Sequence, residues 1–119
     1  MKTLGDDYEA AAARWLQDSG MRVLARNFKA RTGEIDIIAR DGHSLVFIEV
    51  RARSNPHYAG AAASVDRRKQ ARILRTAELF MQHHPQWADL ACRFDVVAFE
   101  PPHSAGSPQL RWIRAAFTA

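Results

Sequence analysis

Apolar positions along the chain change their spacing several times, and each change marks an element. Over residues 6–19, Ala12, Ala13, Trp15 and Leu16 form an apolar stripe at helical spacing, with Gly5 or Asp6 as the cap and Gly20 placed to end the helix. Residues 21–28 place Arg among Val and Leu and predict a strand. Residues 34–40 and 45–53 are rich in Ile and Val and flank Asp41-Gly42-His43-Ser44, where Asp-Gly signals a hairpin. Residues 54–63 read as a loop. Ser64 is then the expected cap of a second helix ending near His84, with Ile73, Leu74, Ala77, Phe80 and Met81 as its buried stripe. Residues 93–100 and 110–116 predict two further strands around a Pro/Gly/Ser loop. The order α-β-β-β-α-β-β predicts an α/β fold with a mixed sheet flanked by helices. The second helix acts as a crossover that sets the third and fourth strands parallel.

Composition narrows the class. A chain of 119 residues, 47% hydrophobic and 25% charged, fits one globular domain over residues 1–119 and excludes a mainly disordered chain. The lone Cys92 excludes an internal disulfide and is expected in the core. The start MKTLGDDYEA places acids where a secretory signal needs an apolar stretch, and no apolar run approaches membrane-spanning length, so a cytoplasmic protein is expected. Lys and Arg number 17 against 13 Asp and Glu, and only Lys2, Lys29 and Lys69 are lysines. Arginine's planar fork suits phosphate, which makes a polyanion a plausible partner.

The hairpin places the chemistry. With residues 41–44 as the loop, Arg40 faces Leu45, Asp36 faces Glu49 and Glu34 faces Arg51. A two-residue loop shifts the pairing but keeps Glu34, Asp36, Glu49 and Arg51 on one face, and a three-residue loop would break the grouping. The opposite face then holds Ile35, Ile37, Ala39, Val46, Ile48 and Val50 as core. Two carboxylates about 5 Å apart repel by roughly 3 kcal/mol at an effective dielectric near 20. A shared proton, neighbouring arginines or a bound cation must offset that repulsion, and hard oxygen ligands suit Mg²⁺ or Mn²⁺. Glu9 shares a helical stripe with Ala12, Ala13 and Leu16, so its carboxylate points towards the packed side and needs a partner. Alternatively, Arg51 and Arg53 neutralise the acids in a surface lattice, and Glu9 answers the helix dipole.

The run GEIDIIARDGHSLVFIEVRAR, with the leading helix and the element order, resembles the active-site hairpin of the PD-(D/E)XK nuclease superfamily and its Holliday-junction-resolvase-like branch. Almost the whole chain is similar to the YraN family of small bacterial proteins. The matching pieces are Gly5 with Tyr8-Glu9-Ala10, Arg26-Asn27-Phe28, Gly33-Glu34-Ile35-Asp36, Val46-Phe47-Ile48-Glu49-Val50, Arg68-Lys69 and Arg93-Phe94-Asp95-Val96-Val97. The resemblance implies a restriction-endonuclease-like core, a DNA partner, and a divalent-metal-dependent phosphodiester hydrolase site. It makes Asp36 and Glu49 metal-binding acids, Glu9 the supporting helical acid, and Val50 the donor of a backbone carbonyl. Arg51 stands where the superfamily carries its catalytic lysine, and Ile35 replaces the eponymous proline. Arg51 stays protonated, so it can hold phosphate or stabilise negative charge but cannot act as a base. The resolvase-like branch commonly pairs, so a homodimer is a further expectation of the resemblance.

Arg68, Arg72 and Arg75 lie on one stripe of the second helix with Lys69 beside them, a surface able to track a phosphate backbone or simply a solvated face. Asp95 beside Arg93 suits an ion pair better than a metal. His83 and His84 point apart at a helix end and suit its dipole. His57 and Tyr58 lie in a loop where they could contact nucleic acid. Two rival readings keep the same fold: a nucleic-acid-binding module without catalysis, and a protein-interaction domain whose acidic–arginine cluster is structural.

Overall fold

The structure is a computed structural model that describes residues 4–52, 65–100 and 109–118. His57, Tyr58, Ser64 and Arg53 lie outside the described residues. Helix α1 (Leu4–Asp18) leads into strands β1 (Arg22–Ala30), β2 (Gly33–Asp41) and β3 (Ser44–Ala52). Helix α2 (Arg67–His83) and a short 3₁₀ turn (Pro85–Trp87) follow, then β4 (Ala91–Glu100) and β5 (Gln109–Phe117). The fold is α/β. Among the described residues, five strands form one mixed sheet in the order β1-β2-β3-β4-β5, with only the β3–β4 pair parallel. The α2 crossover produces that parallel pair.

The expected ends and turns follow local chemistry. After α1, Gly20 adopts φ +97°, and the amides of Gly20 and Met21 close on the carbonyls of Gln17 and Leu16 at 3.0 and 3.1 Å. This double closure ends the helix at a residue without a Cβ. The β2–β3 hairpin turns on Gly42 and His43, with Gly42 at φ +58°, and pairs Arg40 with Leu45 as the hairpin reading expects. Helix α1 begins at Leu4, two residues before the expected start. The cap of α2 is Asp66, whose Oδ1 accepts from the Lys69 amide at 2.9 Å; an aspartate two residues beyond Ser64 takes the role.

Both faces of the sheet are core. Against α1 pack Ile37, Ala39, Val46, Ile48, Val97 and Phe99 with Ala12, Ala13 and Leu16. Against α2 pack Ile35, Ile38, Leu45, Phe47, Phe94 and Val96 with Ile73, Ala77 and Phe80. A sheet covered on both faces reads as nearly continuous apolar runs. On α2, Leu74 and Met81 are only half-buried, and the fully buried Thr76 joins the core by bonding Thr32 Oγ1 at 2.7 Å and the Arg72 carbonyl at 2.8 Å. Cys92 is exposed, contrary to expectation. It stands near the start of β4, at an apolar groove lined by Leu74, Met81 and Phe94.

Asp95 has zero exposure and is fully engaged. Its carboxylate accepts from Arg93 Nε and Nη2, both at 3.0 Å, from Trp112 Nε1 at 2.9 Å, and from the Ala115 amide at 2.9 Å. Arg93 also donates to Asp41 at 3.0 Å. This network fills the register slip between Phe94 and Val96 and holds Ala115 at φ +49°. Asp95 is therefore an ion-pair residue, as its sequence neighbours suggest.

Candidate metal centre

Ile35 and Ile37 are two residues apart and should share a face. They do not: Ile37 packs under α1 and Ile35 under α2. The change occurs at Asp36. On the β1 side, the pairs Arg26↔Ile37 and Phe28↔Ile35 bracket Asn27, which takes the left-handed conformation at φ +54°. On the β3 side, the ladder runs from Asp41↔Ser44 to Ile37↔Ile48 and stops there. Asp36 and Glu49 therefore do not stand as a paired rung. The Val50 amide donates instead to Asp36 Oδ2 at 2.8 Å, so a side chain replaces the backbone acceptor and the strands part.

This opening is a cleft of about 230 Å³ lined by Tyr8, Glu9, Asp36, Glu49, Val50, Arg51 and Ala52. Helix α1 supplies Glu9 and Tyr8, and the Tyr8 ring lies 4.7 Å from that of Phe99, which ties the helix to β4. Carboxylate oxygens of Glu9, Glu34 and Asp36 lie within 4.8 Å of one another. The Asn27 side-chain amide, oriented by its partners, donates to Glu9 Oε1 at 2.7 Å and Glu34 Oε1 at 3.0 Å. Glu34 therefore meets Glu9 rather than facing Arg51. Glu34 and Asn27 join the site without a sequence motif that places them there. The available signal was an Asn inside a strand, a residue type depleted there and tolerant of left-handed backbone.

Glu49 comes from the central strand and is 6% exposed. Its Oε1 lies 3.5 Å from Arg51 Nε and 3.6 Å from Lys69 Nζ. Its Oε2 is buried and has no hydrogen-bond partner among the described residues, nor does Arg51 Nε make one. Burial, and then the neighbouring Asp36 carboxylate, push Glu49 up to about 7 against the opposing charges of Lys69 and Arg51. Glu9 is likewise raised to about 7, first by burial, then by Asp36 and Glu34, with Arg26 opposing. Oxygen donors, a buried oxygen without a partner and crowded negative charge fit a hard divalent cation.

The sequence-derived set therefore divides. Glu9, Asp36, Glu49, Val50 and Arg51 meet at one cleft. Lys69 joins them through Glu49, while Arg68, Arg72 and Arg75 remain exposed on α2. His84 stacks on Phe80 and Trp87, at 4.0 and 5.3 Å between ring centres.

The profile of the uncharacterised protein family UPF0102 matches residues 8–99. The chain belongs to that family. It is similar to a UPF0102 protein of Stutzerimonas stutzeri, at 48% identity over 95% of this chain and 92% of the relative. It is also similar to the UPF0102 protein YraN of Escherichia coli, at 47% identity over 98% of this chain and 85% of the relative. The matched span of this UPF0102 chain contains every residue of the cleft and the arginines of α2. Among the described residues, no helix is long and apolar enough to cross a membrane.

Proposed function

We propose that this UPF0102 protein binds nucleic acid, DNA foremost, and hydrolyses its phosphodiester bonds with Mg²⁺ or Mn²⁺ on the restriction-endonuclease-like plan. One observation carries the reading: among the described residues, Glu49 Oε2 is buried without a hydrogen-bond partner beside Asp36. A carboxylate oxygen desolvated and left unpaired is costly unless a proton or a ligand completes it, and above about pH 7 the proton is lost. Asp36 and Glu49 would hold the cation with the Val50 carbonyl, and Glu9 would support it. Bound there, such a cation would supply Lewis-acid polarisation of a phosphate and a lowered pKa for water.

The chain's own residues supply the rest. Arg51 lines the cleft as a fixed cation, able to hold a phosphate oxygen and stabilise its negative charge. Asp36 accepts the Val50 amide, which fixes its orientation. The exposed Arg68, Arg72 and Arg75 offer the backbone a basic track. Replacing all three by Ala is expected to weaken duplex binding and flatten its salt dependence by nearly one unit of slope per lost phosphate contact. An unchanged slope in that variant would assign binding to another surface.

The deciding experiment offers single-stranded, duplex, flap and four-way-junction DNA to purified protein with Mg²⁺, Mn²⁺ or EDTA. Cleavage that needs the cation and vanishes in Asp36→Ala is expected. Metal-independent binding without cleavage would make the protein a binding module, the alternative favoured by Arg51 in the lysine's place. No binding at low salt would favour a protein-interaction domain.

Proton linkage gives an independent check. Glu9 and Glu49, raised to about 7, bind protons more tightly folded than unfolded. Their protonation stabilises the fold fully below their unfolded values, and this contribution is lost as pH rises through about 7. A cation that takes the deprotonated carboxylates offsets that loss. The rise in melting temperature on adding Mn²⁺ is therefore expected to grow between about pH 5 and pH 8. A pH-independent rise would separate the metal from these carboxylates.

A further inference from the structure

Glu49 divides its two oxygens between different tasks. Oε1 faces the cations of Arg51 and Lys69, whereas Oε2 has no hydrogen-bond partner among the described residues. The two cations are not equivalent. Arg51 lies on the same strand, two residues from Glu49, with its Nε buried and without a hydrogen bond among the described residues. Lys69 reaches in from the first turn of α2, where Asp66 caps its backbone amide at 2.9 Å. At 3.6 Å its ammonium lies outside hydrogen-bond range of the carboxylate it faces. A lysine is a point charge on a four-carbon stem with freely turning bonds, so it can change partners without moving its helix. On α2 its neighbour Arg68 and the next-turn Arg72 are exposed.

We propose that Lys69 is the resident counter-cation of Glu49, which gives way to a divalent ion and turns to the phosphate backbone, so that metal and nucleic acid bind cooperatively through it. The inference rests on the metal-dependent nucleic-acid reading above and adds a residue and a coupling to it. A dication on Glu49 and an ammonium facing that same carboxylate repel each other. Without nucleic acid, the ion must bind against Lys69. With a phosphate nearby, the displaced ammonium gains a new partner, and the repulsion becomes attraction between the two ligands. Lys69 thereby places a lysine at a site whose strand position carries Arg51.

Calorimetry of the full chain with Mn²⁺, alone and with a short phosphorothioate duplex that resists cleavage, tests this. In the wild type, the duplex is expected to raise Mn²⁺ affinity by about tenfold, and Mn²⁺ to raise duplex affinity equally, as linkage requires. Lys69→Met keeps the stem and removes the charge. Measured above about pH 8, where protons no longer compete for Glu49, it is expected to bind Mn²⁺ alone about tenfold more tightly and to lose most of the duplex-induced gain. Lys69→Arg keeps the charge and is expected to retain the coupling. Melting curves of both variants establish that they are folded. Unchanged or weaker Mn²⁺ binding in Lys69→Met, or a fully retained gain, overturns the role of Lys69. If uptake still disappears in Asp36→Ala, the metal site itself survives that result. Absence of Mn²⁺ uptake by the wild type, with and without duplex, overturns both.

Discussion

Asp95→Ala is expected to cost roughly 3–5 kcal/mol of stability, the range for removing one partner of a buried, hydrogen-bonded charge pair. The carboxylate has no exposure and accepts four hydrogen bonds, two of them from Arg93. Its removal frees the Trp112 indole and the Ala115 amide as well as the guanidinium, which keeps only Asp41. Ala115 then loses the contact that holds its left-handed backbone. For a domain of this size the melting temperature should fall by roughly 10–20 °C. Thermal unfolding followed by circular dichroism reads this directly. A fall of only a few degrees would show that the network fills space without holding β5. Asp95→Asn should lie between, since it keeps the shape and one acceptor but loses the charge.

Glu49→Gln should act in the opposite direction. The carboxylate is buried and raised to about 7, so near pH 8 the metal-free protein holds a charge its surroundings disfavour. A neutral amide of the same shape removes that burden. The expected gain is on the order of 1–3 kcal/mol near pH 8, reduced by the lost attraction to Lys69 and Arg51, and close to zero near pH 5, where the carboxyl is already protonated. The same variant should lose the rise in melting temperature on adding Mn²⁺. If the acids only balance arginines in a lattice, the substitution should destabilise the protein at pH 8, and Mn²⁺ should have no effect on either form. Melting curves at the two pH values, with and without Mn²⁺, separate these outcomes.

The hairpin shows how far a linear pattern reaches. Alternation and the Asp-Gly signal, with residues 41–44 as the loop, pair Arg40 with Leu45. The ladder keeps that pair while extending it to Asp41 and Ser44, because this stretch is regular and its side chains must alternate. The same arithmetic carried four residues further failed. Asp36 left the ladder, Ile35 crossed to the other core, and Glu34 turned to Glu9. Period-two reasoning assumes an unbroken strand, and Asn27 and Asp36 break it from both neighbours. The exposed Cys92 failed for a related reason: an apolar residue near the start of a strand is buried only if another element covers it.

Local chemistry by itself determined the elements, their order, the glycine that ends α1, the parallel β3–β4 pair and the acids of the hairpin. Those features depend on residues near in sequence or on the handedness of one crossover. Tertiary structure alone decided that Lys69 would leave the arginine face for Glu49, that Asn27 would join Glu9 to Glu34, and that one oxygen of Glu49 would be buried without a partner among the described residues. Each of these joins elements distant in sequence through side chains whose direction depends on packing and on a broken ladder. A helix reaching across a parted pair of strands has no period in the sequence, so no pattern along the chain could announce it.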